Sequence, residues 1–104
     1  MNDSFEVVWT NILNGLYKGQ VIKNWGYAHG FTGKIFIIHS ISKDQIEIDS
    51  PTAKTLQRIP KEDFENVYEL WSDYISGKIQ RTYISNEISR YSTYVISIFH
   101  EILT

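Results

Sequence analysis

The hydrophobic period of the chain changes at Gly19. Before it, Phe5, Val8, Trp9, Ile12, Leu13, Leu16 and Tyr17 recur at the i, i+3, i+4, i+7 spacing that puts apolar side chains on one face of an α-helix. Asp3 or Ser4 can cap its start, and Gly19 is expected to end it. After Gly19 the segments QVIKNW, KIFIIHSI, QIEID and TLQRI are short and rich in β-branched residues, the pattern of strands. Ser42 to Asp44 joins the second to the third as a tight hairpin, and Asp49, Ser50 and Pro51 open the next turn. A small antiparallel sheet of three to five strands, or a partial barrel, is expected to receive the helix stripe.

The period then returns to helical. Pro60 is expected at a first helical position, followed by Glu62, Asp63 and Glu65, which complement the helix dipole. Phe64, Val67, Tyr68, Trp71, Tyr74 and Ile75 form one buried stripe, and Gly77 stops the helix. The acids of residues 61–73 therefore read as the wet side of a single helix. The last third reads as a short helical turn and a terminal helix. Tyr94, Val95, Ile96, Ile98, Phe99, Ile102 and Leu103 cover more than one face of it. That helix is either the centre of the core or, in part, the seat of a partner. The expected class is α+β: an N-terminal helix, the sheet, then two to three C-terminal helices. A chain of 104 residues makes residues 1–104 a single domain.

Composition narrows the chemistry. The absence of cysteine removes disulfide scaffolds, zinc fingers, iron–sulfur sites and thiol nucleophiles together. The start MNDSFEV has no basic, apolar leader pattern, and no apolar run approaches the ~20 residues that span a bilayer. A cytoplasmic protein without a membrane partner is expected. Sixteen isoleucines against two alanines suggest an AT-rich coding source, bacterial or phage. Net charge is −2, but residues 7–43 hold four lysines and no acid, whereas residues 44–73 hold eight acids against three cations. Such asymmetry can make one basic and one acidic face.

Residues 24–34, NWGYAHGFTGK, concentrate glycine and aromatic residues. A phosphate-binding P-loop needs glycine five positions before Gly33 and Ser or Thr after Lys34. Ala28 and Ile35 stand there, and the next residues read as strand, so the motif is rejected. The stretch reads instead as a connection between two strands. Trp25, Tyr27 and Phe31 either fold back on the core edge, the commoner fate, or stand outward as a stacking surface. Gly26, Tyr27 and His29, with Lys23 and Lys34 nearby, form a candidate ligand lip.

The remaining candidates are sparser. His29, His39 and His100 carry no i, i+2 or i, i+4 metal spacing. His39 is expected as a hydrogen-bonded sheet residue, His100 as an exposed cation near a helix C-terminus, and His29 as the accessible acid–base candidate. Asp44, Glu47 and Asp49 lack the lysine that a metal-nuclease strand pair would want. Lys78, Arg81 and Arg90 interleave with Tyr83, Tyr91 and Tyr94, a mixture suited to phosphate contact. ISNEIS followed by STYVISIFHEIL is too closely spaced for a helix-turn-helix, because Ile88 to Val95 spans seven positions.

The expected function is a small binding module rather than an enzyme, with no metal, cofactor or catalytic residue assigned. It is expected to be nucleic-acid-associated through Lys23, Trp25, Tyr27, His29, Lys34, Lys78, Arg81, Arg90 and Tyr91. The alternative is a protein-interaction or inhibitor module of phage or host-defence type. It would act through the acidic helix 61–73 or the apolar C-terminal helix, as a homodimer in the latter case.

Overall fold

Helix α1 (Phe5–Gly15) forms where the stripe predicts it, with Val8, Trp9 and Ile12 buried. The computed structural model describes residues 4–103. Ser4 holds the cap position in an extended conformation without a side-chain cap bond, and Asp3 lies outside the described residues. The helix ends a turn earlier than expected. Leu16 is already extended, and Gly19, at φ 87°, turns the chain into the sheet. The Trp9 indole N–H donates to the Lys43 carbonyl at 2.9 Å, so the first helix is pinned to the hairpin far along the chain.

The sheet is a four-stranded antiparallel meander in the order β1 (Val21–Gly26), β2 (Gly30–Ile41), β3 (Gln45–Asp49) and β4 (Gln57–Pro60). Strand alternation sends Ile22, Phe36, Ile38, Ile46, Ile48 and Ile59 inward, each essentially inaccessible. It sends Val21, Ile35 and Ile37 outward, where they are exposed. Two irregularities interrupt the ladder. Between β1 and β2, Lys23 pairs with Ile35 but Trp25 pairs with Phe31, so Thr32, Gly33 and Lys34 together oppose Asn24. Between β2 and β3, Ile38 pairs with Ile48 and Ser40 with Glu47, which leaves His39 as an extra residue. His39 is consequently exposed rather than a hydrogen-bonded sheet residue.

The acidic helix divides in two. Helix α2 (Lys61–Tyr68) ends at Glu69, and α3 (Trp71–Ile75) starts after Leu70 bends away. Pro60 occupies the cap rather than the first helical turn and closes β4, paired with Gln45. That position suits a residue that lacks an N–H, on a strand at the sheet edge. Helix α4 (Arg81–Glu87) buries Ile84 and leads to α5 (Ser92–Leu103). The Ser89 hydroxyl donates to Asp63 at 2.7 Å and ties the α4–α5 connection to α2.

Helix α5 resolves the two fates open to it. Val95, Ile96, Ser97, Ile98 and Phe99 are all buried, and Glu101 is the only exposed residue among those described on the helix. Its apolar surface is largely used by the chain's own core, with Tyr94, Ile102 and Leu103 partly buried against it. Phe99 stands at the centre of an aromatic cluster with Phe64, Tyr68 and Trp71 at centroid distances of 5.9, 6.0 and 5.4 Å. Ser97 accepts a hydrogen bond from the Trp25 backbone N–H at 3.0 Å, which satisfies an outward donor of edge strand β1. Among the described residues, no helix is long and apolar enough to cross a membrane.

Candidate functional site

The irregular pairing between β1 and β2 builds the site. Gly33 holds φ 89°, a conformation that only glycine adopts without strain. This lets the Thr32–Lys34 segment bulge, and the Lys34 N–H approaches the Thr32 hydroxyl at 3.4 Å. A bulge re-aims the side chains beside it. Here Asn24 and Lys34, facing each other across the irregularity, both line two adjoining hollows.

The larger hollow is a groove of about 710 Å³ between the β1–β2 hairpin tip and the α3–α4 connection. Trp25, Tyr27, His29, Lys34 and Arg81, five of the nine residues singled out in the sequence, line it together with Tyr74. The smaller one, about 470 Å³, lies between the β3–β4 turn and the start of α5. It is lined by Lys34 and Arg90 with Ser50, Thr52 and Thr93. Asn24, Lys34 and Thr93 belong to both. Among the described residues, neither lining contains an Asp or a Glu.

The aromatic residues of the hairpin do not share one fate. Trp25 packs back, stacked on His100 at 4.0 Å and 7° and set against Trp71 at 6.5 Å. Tyr27 stays 48% exposed. Its backbone N–H is held by the Tyr74 hydroxyl at 2.9 Å, and its ring meets Gly77 with only about 3.4 Å to spare for a Cβ there. The ring is thus held on one side and open on the other, the requirement for a stacking platform. Phe31 is more exposed, and it meets the edge of His100 at 5.5 Å. His100 is accordingly half-buried, not an exposed cation, and burial lowers its pKa, against a smaller opposing pull from Glu101.

The cations of the groove are held but not neutralised. The Arg90 guanidinium donates to the Tyr91 hydroxyl at 2.6 Å and lies 4.8 Å from that ring's centroid. Arg81 donates to the Thr93 hydroxyl at 3.3 Å. Among the described residues, no carboxylate pairs with Lys34, Arg81 or Arg90. The other expected residues lie elsewhere. Lys23 is on the outer sheet face, its ammonium 5.9 Å from the Phe31 centroid. Lys78 borders a third, shallower hollow of about 420 Å³ with Tyr83 and Glu87. Tyr91 is half-buried against the core and acts as the Arg90 anchor.

Several residues of the site were not among the site residues expected from sequence, Asn24, Ser50, Thr52, Tyr74 and Thr93 among them. Asn24 lies opposite the bulge, and its Oδ1 is buried without a protein hydrogen-bond partner among the described residues. Ser50 and Thr52 share a hydrogen bond at 3.1 Å in the β3–β4 turn. Nothing local marks them, because they reach the groove only through strand pairing. His29 is exposed at the groove rim with no carboxylate in the lining, so an acid–base pair is not assembled there. Among the described residues, no three His, Asp or Glu converge as a metal site.

This geometry offers groups suited to binding. It places three positive charges, several hydroxyls and one open aromatic face in an acid-free concavity. No family model, curated protein sequence or solved structure matches this chain.

Proposed function

We propose that this protein is a non-enzymatic module that binds single-stranded nucleic acid along the groove beside the β1–β2 hairpin. The observation that carries the reading is the acid-free groove in which Lys34, Arg81 and Arg90 stand without ion-pair partners beside the half-exposed Tyr27 ring. Backbone phosphates would meet the cations, and a base would stack on Tyr27. The net charge of −2 does not oppose this, because the acids of residues 44–73 are absent from the groove lining. An open groove with a single stacking face suits a flexible strand better than a duplex, whose bases are already stacked.

The test is fluorescence anisotropy with labelled single- and double-stranded DNA and RNA at low and moderate salt. Three phosphate contacts on a single strand correspond to a log K against log salt slope of about −2. Charge reversal in Arg81→Glu/Arg90→Glu removes two charge-assisted contacts of ~1.5–3 kcal/mol each, a loss of about 100-fold or more. No binding at micromolar protein contradicts the reading.

A second reading, a protein-interaction module, draws on the outer sheet face. Val21, Ile35 and Ile37 expose 51, 40 and 36% of their surface there, an apolar row that the described residues leave uncovered and of which Ile35 also borders the smaller hollow. It leads to a concentration-dependent mass in light scattering, or to capture of a protein partner that is lost in Ile35→Lys.

A further inference from the structure

The two hollows differ in chemistry, and the difference points to a particular ligand end. The larger one has ring and aliphatic surface from Trp25, Tyr27, Tyr74 and Ile79. The smaller one is the more polar compartment of the two, although Ile35, Pro51 and Tyr94 form part of its wall. Lys34 and Arg90 supply two positive charges, and Ser50, Thr52 and Thr93 supply three hydroxyls.

These groups are positioned before any ligand arrives. Ser50 is 5% exposed, shares its hydroxyl with Thr52 and accepts the Ala53 N–H through its carbonyl at 3.0 Å, so the turn is fixed. Arg90 is steadied by Tyr91, a partner that leaves its charge intact. Lys34 is set by the Gly33 bulge. Ligand affinity gains when ordering has already been done by the fold.

We propose that this compartment takes the phosphomonoester of a nucleoside phosphate, while the sugar and base lie toward Tyr27. The inference rests on the nucleic-acid reading above and narrows it. A monoester has a second pKa near 6 and carries about −1.5 to −2 charge at pH 7, whereas a backbone diester carries one negative charge. Two unpaired cations and three hydroxyls, with no carboxylate in the lining, match the dianion and its terminal oxygens. Asn24, Lys34 and Thr93 wall both hollows, so one ligand can span from the polar compartment to the aromatic one. The same chemistry occurs on a free mononucleotide and on the phosphorylated end of a strand.

The experiment compares one internally labelled single-stranded oligonucleotide with 5′-phosphate, 3′-phosphate or hydroxyl ends. A nucleoside, its monophosphate and inorganic phosphate are the competitors. Wild type, Lys34→Gln, Arg90→Gln and Arg81→Gln are run in parallel, with circular dichroism confirming the fold of each. One phosphorylated end is expected to bind about tenfold more tightly than the hydroxyl end. That ratio is expected to fall to about one in Lys34→Gln or Arg90→Gln and to persist in Arg81→Gln. It is also expected to shrink below about pH 6, where the monoester loses its second charge. Equal binding of all three ends overturns the phosphomonoester site and leaves the strand-binding reading standing. Direct binding of the mononucleotide, read by isothermal titration calorimetry, without any strand binding supports the site and overturns the strand reading. No binding by strand or mononucleotide overturns both.

Discussion

Strand β2 takes part in two surfaces that carry similar residues and do different things with them. Toward the groove, Lys34 shares an acid-free lining with Arg81 and Arg90. On the outer sheet face, Arg58 pairs with Glu47 at 2.8 Å, and Glu47 also accepts a hydrogen bond from the Ser40 hydroxyl. These two partners, Ser40 first, hold the Glu47 carboxyl below its usual range. The aromatics divide in the same way. Tyr27 is backed by Tyr74 and Gly77, whereas Phe31, outside the groove lining, meets the edge of His100 and has Lys23 over its ring. Both surfaces thus carry cations and an exposed ring. Pairing separates Arg58 from the groove cations, because a cation already matched to a carboxylate has little left to give an incoming phosphate.

The largest expected effect sets one surface against the other. Arg81→Glu/Arg90→Glu should weaken single-strand binding by about 100-fold or more, whereas Lys23→Glu/Arg58→Glu should change it by no more than about threefold, through long-range repulsion alone. Comparable losses from both double variants would erase the distinction. Next in size, Tyr27→Ala should cost ~1–3 kcal/mol of binding, the worth of one stacked base, and Phe31→Ala little. Anisotropy titrations of the two variants read this directly.

A smaller effect concerns what makes the surfaces differ. Gly33→Ala places a side chain at φ 89° and should cost roughly 1–2 kcal/mol of stability in denaturant unfolding. No atom beyond the flanking residues lies within 4 Å of the added methyl, so the cost comes from the backbone conformation rather than from packing. The same variant should weaken binding, because relaxing the bulge moves Lys34. Unchanged stability with unchanged binding would mean that the bulge does not depend on glycine.

The smallest effects are in pH. His100 has its folded pKa depressed by burial, so between that value and the ordinary one of about 6.5 the unfolded chain holds more protons. Stability should therefore fall as pH drops below about 6.5, and the slope should be shallower in His100→Gln. The Glu47 contribution has the same sign at lower pH. It is complete above the ordinary value of 4.5 and is lost as pH falls toward the depressed folded value. Thermal unfolding between pH 3 and 8 checks both.

The order of elements was readable because period is a local property. The α1 stripe and the strand alternation of Ile46 and Ile48 lie in continuous runs; Val8, Trp9, Ile12, Leu16, Ile46 and Ile48 are buried as expected, whereas Tyr17, past the helix end, is exposed. Features set by pairing were not readable. The Thr32–Lys34 bulge exists only against Asn24, and the extra position of His39 only against β3. Trp25 and His100 lie far apart in the chain and meet because α5 crosses β1. The break at Leu70 was hidden because one helical stripe, Phe64 to Ile75, continues through it, while Trp71 and Tyr74 turn toward Trp25 and Tyr27. For the site, the sequence supplied the cations and rings, and the fold selected among them. It gathered Trp25, Tyr27, His29, Lys34, Arg81 and Arg90 and left Lys23, Lys78 and Tyr91 outside.

The most direct test of the groove as the binding surface is an amide NMR titration of the labelled protein with a short single-stranded oligonucleotide. Shift changes should concentrate at Asn24, Tyr27, Lys34 and Thr93 and leave His39, Glu47 and Arg58 unmoved. Changes concentrated on the outer sheet face, or none at saturating oligonucleotide, would contradict it.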